Sequence, residues 1–229
     1  MKTIDVIIPV YNEEKTLENV ISKLEQIDFC SLEKRLIFVD DFSSDNSREI
    51  LERHPNHIVL SHKKNMGKGA AVATGIKNAT ADIVVIQDAD LEYDPNDYNK
   101  LLPLIINNEA DVVYGSRLLD KSQHKSFLFL SLLANKFLTG LTNLLFATKI
   151  TDMETCYKAF RREKISDINI KSKKFDFEPE ITAKVIKRKL RFKEVPITYN
   201  PRAYDEGKKV KAKDALHAIF TLFYYRFFD

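Results

Sequence analysis

Ile83-Val84-Val85-Ile86-Gln87-Asp88-Ala89-Asp90 is the stretch whose reading decides the fold. Four β-branched apolar residues run straight into two carboxylates separated by one alanine. Continuous rather than alternating hydrophobicity marks a strand covered on both faces. The carboxylates fall where that strand should end, and in open α/β sheets ligands bind beyond the carboxyl ends of strands. Two such charges are rarely buried without a partner. A divalent cation carrying a phosphorylated ligand would satisfy both; a strand simply meeting a polar loop is the alternative.

Working outward, the same pattern recurs upstream. Ile4–Val10 reads as a first strand, followed by Tyr11-Asn12-Glu13-Glu14, where Asn12 is a candidate cap for a helix with Leu17, Val20, Ile21, Leu24 and Ile27 on one face. Arg35–Val39 reads as a second strand ending in Asp40-Asp41-Phe42-Ser43-Ser44-Asp45, and His57–Leu60 as a short third. Asn65-Met66-Gly67-Lys68-Gly69 leads into a small-residue helix, Ala70–Ala79. Downstream come a helix over Asn96–Asn107 begun by Pro95, and a strand Asp111–Tyr114 ending at Gly115-Ser116-Arg117. This alternation predicts an α/β protein with a doubly wound, mostly parallel sheet flanked by helices. Glu13, Asp40, Asp41, Asp88 and Asp90 then lie at the ends of three separate strands, along one edge.

Composition narrows the classes. With 229 residues and a hydrophobic fraction of 44%, the chain can bury a full core. A net charge of only +3 gives no support to a nucleic-acid binder driven by bulk electrostatics. Cys30 and Cys156 form neither a disulfide framework nor metal-ligand spacing, so a reducing compartment is expected. The first strand begins almost at the N-terminus, which predicts no signal peptide and a cytoplasmic location. No G-x-G-x-x-G follows that strand, which disfavours a dinucleotide-binding enzyme.

Taken in order, Pro9-Val10-Tyr11-Asn12-Glu13-Glu14, Asp40-Asp41-Phe42-Ser43-Ser44-Asp45, Asn65-Met66-Gly67-Lys68-Gly69 and Asp88-Ala89-Asp90 resemble the successive signatures of family 2 glycosyltransferases. The resemblance implies the GT-A nucleotide-diphospho-sugar transferase fold and a nucleotide-sugar donor, GDP- or UDP-linked. Pro9, Tyr11, Glu13 and Asp40 would line the nucleotide pocket, and Lys68 would lie near the nucleotide or its phosphates. Asp88 and Asp90 would reach the diphosphate through Mg²⁺ or Mn²⁺, which take hard oxygen ligands. Asp41 and Asp45 are read as possible helix caps, and Gln87 as either a support for this site or a plain strand residue.

The second half extends the resemblance to the polyprenyl-phosphate sugar synthases of that family, the dolichyl-phosphate mannosyltransferase type. Asp111-Val112-Val113-Tyr114-Gly115-Ser116-Arg117 and Thr151-Asp152-Met153-Glu154-Thr155-Cys156-Tyr157-Lys158-Ala159-Phe160-Arg161-Arg162 carry it. It implies that Arg117 holds a lipid phosphate, with Arg161 and Arg162 as weaker candidates, and that Cys156 is a packing residue. A sugar hydroxyl acceptor would instead need a general base, for which Asp152 is the best-placed candidate; Asp152 could equally orient an arginine or the donor sugar. A phosphate monoester, already ionised near neutral pH, needs positive charge rather than a base. After a strand over Arg191–Tyr199, the segment Tyr199–Lys209 resembles a loop that closes over the donor, with Arg202 and Lys208 neutralising the departing diphosphate. Glu178 is either an acceptor-side group or a helix N-terminal carboxylate.

Two stretches read as amphipathic surface helices. Phe127–Ala147 is dominated by Leu and Phe, but Ser131, Asn135, Thr139 and Asn143 recur every fourth residue, with Lys136 and Thr142 beside them. That polar stripe argues against a spanning helix and for one lying on a bilayer surface or against the domain. The tail from Ala215 to Phe228 is aromatic and follows Lys208, Lys209, Lys211 and Lys213, a pattern suited to an anionic membrane surface, a partner or the chain's own core. The expected organisation is a catalytic domain over 1–210, including the insertion 126–147, and a C-terminal aromatic helix over 211–229. The reading is a metal-dependent, inverting transferase placing a sugar on a polyprenyl phosphate at the cytoplasmic membrane face. A transferase acting on a saccharide hydroxyl is the first rival and a nucleotidyltransferase the second.

Overall fold

The protein is described by a computed structural model covering residues 1–120, 129–201 and 212–228. Each apolar run forms a strand: β1 (Thr3–Val10), β2 (Glu33–Asp40), β3 (Ile58–Ser61), β4 (Ile83–Ile86), β5 (Val112–Ser116), β6 (Lys158–Arg161) and β7 (Phe192–Pro196). They form one sheet in the order β3-β2-β1-β4-β6-β5-β7. Helices α1 (Leu17–Gln26), α2 (Ser47–Glu52), α3 (Lys68–Asn78), α4 (Tyr98–Ile106), α5 (Phe129–Phe146), α6 (Phe177–Lys187) and α7 (Ala212–Phe227) complete the described chain. Every residue of β4 is buried, as its unbroken hydrophobicity requires.

Pairing is parallel between β1 and β2, β1 and β4, β2 and β3, and β5 and β7. β6 alone runs the other way, antiparallel to both β4 and β5. The sequence reading had no strand here. Its position matters for the site, because the start of a reversed strand meets the same edge as the ends of its neighbours. The residues just before β6 are therefore delivered beside Asp88 and Arg117.

Two local expectations are corrected, and one left open is decided. Asn12 does not cap α1, which begins at Leu17; it adopts a left-handed φ of 52° and its side chain accepts from the Ser44 amide. Arg161 and Arg162 end the reversed strand and so sit at the far edge of the sheet. There Arg161 pairs with Asp111 and donates to the Ile105 carbonyl, and Arg162 donates to the Ala81 carbonyl. The polar stripe of α5 faces the protein interior: Asn135, Thr139 and Thr142 are buried. Part of its apolar surface, Leu138 and Phe146, is buried beside that stripe, while Leu133, Phe137 and Leu144 point outward, Phe137 59% and Leu144 80% exposed. α7 buries Ala218, Leu222 and Tyr225 in a small cluster with Leu138, Phe146 and Met153 and leaves Phe220 72% exposed; Phe228, just past its end, is 78% exposed. Among the described residues no helix is long and apolar enough to cross a membrane.

α3 lies on β1 through small residues. A Cβ added at Gly75 would come within 2.3 Å of Ile7 Cγ2, and Ile7 is fully buried and has nowhere to move. Replacing Gly75 by Ala gains about 1 kcal/mol of helix propensity but overpacks the core, which costs about 1–3 kcal/mol. The expected outcome for Gly75→Ala is a net loss of stability in urea unfolding; a stabilised variant would contradict this packing.

Candidate active site

The site is built where β1, β2, β4 and β5 end and β6 begins. The loops after β1 and β2 are joined by hydrogen bonds: the Asn12 amide donates to Ser43 Oγ at 3.1 Å, the Glu13 amide to Ser47 Oγ at 2.9 Å, and the Glu14 amide to Asp45 Oδ2 at 3.0 Å. Asp40 is buried and accepts from the Ser43 amide. Glu13 is buried and takes the Thr16 hydroxyl, which also bonds the Ala89 carbonyl at 2.7 Å. The first carboxylate is thus linked through Thr16 to the Asp88-Ala89-Asp90 turn. Pro9 and Tyr11 lie partly exposed at the end of β1.

Asp41 and Asp45 are structural. Asp41 accepts from the Met66 and Gly67 amides and pairs with His62 at 2.7 Å, fixing the turn before α3; Gly67 there has a φ of 96°. Asp45 accepts from the Ser47 amide beside α2. That turn aims Lys68 at Asp88, with Nζ–Oδ1 at 2.9 Å, and at Glu178, 3.3 Å away. Burial alone would lower the Lys68 pKa, but the surrounding charges, Asp88 foremost, hold it well above its ordinary value. Conversely, burial raises the Asp88 carboxyl while Lys68 outweighs it and holds Asp88 below the carboxylate range.

Gln87 supports this edge from below. Its amide donates to the Asp88 carbonyl and its oxygen accepts from Tyr157, which stacks between Tyr93 and Tyr98 at 4.7 and 4.5 Å. Asp88 and Asp90 are each partly exposed, and Asp90 accepts from the Glu92 amide. Among the described residues no third carboxylate or histidine joins this pair within metal-binding range; the one such group of three, Glu25, His54 and His57, lies apart from it, with His57 in contact with Glu25 and His54 with Glu18. Two carboxylates at an open strand end fit Mg²⁺ or Mn²⁺, which keep several positions for water and phosphate oxygens.

On the other side stands Arg117, buried and bonded to Asp152 by Nε at 2.7 Å, Nη2 at 2.8 Å and its amide at 3.0 Å. Asp152 is fully buried and also accepts from Asn135 of α5, so the inward polar stripe is what holds it. Thr139 continues that line, donating to Asn135 and accepting from the Met153 amide. Glu194 fixes the preceding turn through the Thr151 and Asp152 amides. Burial raises the Asp152 carboxyl, but the adjacent guanidinium outweighs it and keeps the pair ionised. Arg117 also packs over Tyr199 at 5.1 Å.

Residue by residue, the structure brings Pro9, Tyr11, Glu13, Asp40, Lys68, Asp88, Asp90, Arg117 and Asp152 to one sheet edge. Arg202 and Lys208 lie outside the described residues. Cys156 is a buried thiol whose pKa burial pushes up, the state of a packing residue rather than a nucleophile.

The family model of Glycosyl transferase family 2 matches residues 5–168, more than half of the chain. The chain belongs to glycosyltransferase family 2. This glycosyltransferase is 32% identical over 217 residues to a UDP-N-acetylglucosamine–dolichyl-phosphate N-acetylglucosaminyltransferase of Methanococcus voltae, covering 86% of this chain and 85% of that one. It is 30% identical to a dolichol-phosphate mannosyltransferase of Pyrococcus furiosus, covering 90% of this chain and 58% of the relative. Its fold is that of glucosyl-3-phosphoglycerate synthase from Mycobacterium tuberculosis, solved with Mn²⁺ and UDP-glucose: TM-score 0.71, 20% identity, 98% of this chain and 79% of that one. The GT-A architecture is thereby established for this enzyme.

Two groups at the site have no counterpart in the sequence reading. Lys158 is fully buried, donates to the Thr155 carbonyl and lies over the Tyr114 ring at 4.7 Å; burial lowers its pKa. Glu154 is raised from 4.5 to about 8, by burial first and then by Glu178. The folded protein therefore keeps a proton that the unfolded chain releases above about pH 4.5. Stability should fall as pH rises from about 5 to about 8 and level off above that. Glu154→Gln removes this slope, so the variant should gain on the order of 1–3 kcal/mol relative to wild type between those pH values. Urea unfolding in EDTA at both pH values measures it; parallel pH dependences would contradict the assignment.

Proposed function

We propose that this glycosyltransferase moves a sugar from a nucleoside-diphosphate sugar to a polyprenyl phosphate, with inversion at the sugar C1. The observation that carries the proposal is the pairing of a carboxylate edge with a cationic one. Asp88 and Asp90 stand at the end of β4, Arg117 at the end of β5, and the relatives above are named for dolichyl-phosphate acceptors.

In this reading Pro9, Tyr11, Glu13 and Asp40 receive the nucleotide, a GDP or UDP moiety. Asp88 and Asp90 would hold Mg²⁺ or Mn²⁺, which supplies charge stabilisation to the departing diphosphate. Lys68 adds cationic charge on the same side, and Arg202 and Lys208, which follow Tyr199 in the sequence, are assigned to neutralise the departing diphosphate. Arg117 carries a guanidinium charge at the end of β5, suited to a phosphate, and is assigned to the acceptor phosphate. Asp152, closed in by Arg117 and Asn135, serves as the residue that orients the arginine. An ionised phosphate oxygen attacks C1 in line without a base. The catalytic unit is assigned to 1–210 and the C-terminal segment to 211–229, with the outward apolar side chains of α5 and α7 assigned to the cytoplasmic membrane surface, as the proposed lipid acceptor requires.

The rival, a saccharide hydroxyl acceptor, is favoured only by the presence of a carboxylate at Asp152. Radiolabelled UDP- and GDP-sugars incubated with a short-chain polyprenyl phosphate and Mn²⁺ separate the two. Label should enter an organic-extractable, acid-labile lipid; label passing only to free saccharides would overturn the acceptor assignment. In the same assay Asp90→Asn should lower transfer at least about 100-fold with its melting temperature unchanged. Undiminished turnover in saturating Mg²⁺ or Mn²⁺ would remove Asp90 from the metal site.

A further inference from the structure

Away from the strand-end carboxylates, Glu25, His54 and His57 bring one carboxylate oxygen and two ring nitrogens within 4.8 Å of one another. His54 and His57 stand three residues apart between α2 and β3, in a turn closed by the His57 amide donating to the His54 carbonyl at 3.2 Å. Their ring centres lie 6.1 Å apart with the planes 15° from parallel, and His57 packs on the buried Phe38 at 5.6 Å. Glu25 comes from the last turn of α1 and meets His57 Nε2 at 2.8 Å. Glu18, two helical turns earlier on α1, meets His54 Nε2 at 3.1 Å.

The group is open to a solute. The side chains of His57, His54 and Glu25 are 13%, 22% and 47% exposed, so solvent reaches all three. The cations nearby are engaged elsewhere. Lys34, which feels the Glu25 charge, donates to the main-chain carbonyls of Glu25 and Ile27, and Arg53 pairs with Glu18 at 3.4 Å.

Donor chemistry narrows the ligand. Two imidazoles and a carboxylate suit Zn²⁺, which takes nitrogen at about 2.0–2.1 Å and carboxylate oxygen at about 2.0–2.2 Å in a tetrahedron. Ligand atoms then stand about 3.3 Å apart. The His57–Glu25 contact has only to open by about half an ångström, and the more exposed His54 to swing inward. A carboxylate beside a ligating histidine is a usual support for its ring, which is the place Glu18 holds at His54. Mg²⁺ and Mn²⁺ prefer oxygen and are poorly matched here. The oxygen pair after β4 and this nitrogen-rich group thus select different metals.

We propose that Glu25, His54 and His57 bind Zn²⁺, with water in the fourth position, and that the ion clamps the end of α1 to the turn before β3. β3 is the edge strand of the sheet, and none of its four residues is buried, so a clamp beside it has stability to add. The proposal is independent of the donor and the acceptor assigned above.

Zinc titration of the full chain, stripped with EDTA and dialysed, tests it. Excess Mg²⁺ is kept present to occupy oxygen sites, and a chromophoric chelator competes for the zinc. Wild type should take up one Zn²⁺ per chain with a dissociation constant of about 10 µM or lower, and its melting temperature should rise. Glu25→Gln and His54→Ala alter exposed side chains, so the fold is expected to survive. Each should weaken zinc binding at least about 10-fold and lose most of the rise in melting temperature. Wild-type protein that fails to compete for Zn²⁺, or variants that bind it as tightly as wild type, would overturn the site. Zinc binding lost in Asp88→Asn but kept in Glu25→Gln would place the ion at the strand-end carboxylates and overturn it equally. Zinc bound without a rise in melting temperature would refute the clamp.

Discussion

The ion pair between Arg117 and Asp152 joins the two halves of the site. Arg117 ends β5 and Asp152 stands just before β6, so a single buried contact fixes the place where the sheet changes direction. Removing one partner of such a pair typically costs 3–5 kcal/mol, because the other is left buried and uncompensated. Asn135, Thr139 and Glu194 satisfy the remaining polar atoms around it. α5 is consequently held by its polar stripe together with Leu138 and Phe146, which pack against α7, and only Leu133, Phe137 and Leu144 are left facing outward.

The rest of the site follows the same economy of charge. Asp88 is matched by Lys68, and Lys68 is shared with Glu178. Asp41 is consumed by the turn before α3, which is what points Lys68 at its partner. The Tyr93–Tyr157–Tyr98 stack forms a rigid floor, with the Tyr98 hydroxyl bonded to the last carbonyl of β4 and Tyr157 bonded to Gln87. The carboxylates are thereby presented on an edge that cannot relax toward the core.

Much of this was legible in the sequence because two physical signals coincide: an unbroken apolar run marks a covered strand, and a carboxylate at its end marks the ligand edge. That logic placed Glu13, Asp40, Asp88 and Asp90; Arg117, at another strand end, was singled out by the family resemblance. It could not find β6, whose four residues, Lys-Ala-Phe-Arg, carry charges at both ends and no periodicity. Without β6 the direction of the chain after Cys156 was unknown, and Arg161 and Arg162 could not be assigned to the far edge. The stripe on α5 was visible as a period, but a period does not say which side is inward; that depended on Asp152 needing Asn135. Buried Lys158 and protonated Glu154 contradict the usual preference of charged groups for water, so no pattern rule selects them. Only tertiary placement does.

The central claim is that the carboxylates at this sheet edge hold a divalent cation and, through it, the diphosphate of an activated sugar. Anomalous diffraction at the manganese edge, from crystals grown with Mn²⁺ and UDP or GDP, measures this directly. The account predicts one strong peak within coordination distance of Asp88 and Asp90, bridged to the diphosphate oxygens. A peak confined to Glu25, His54 and His57, or nucleotide bound away from the ends of β1, β2 and β4, would contradict it.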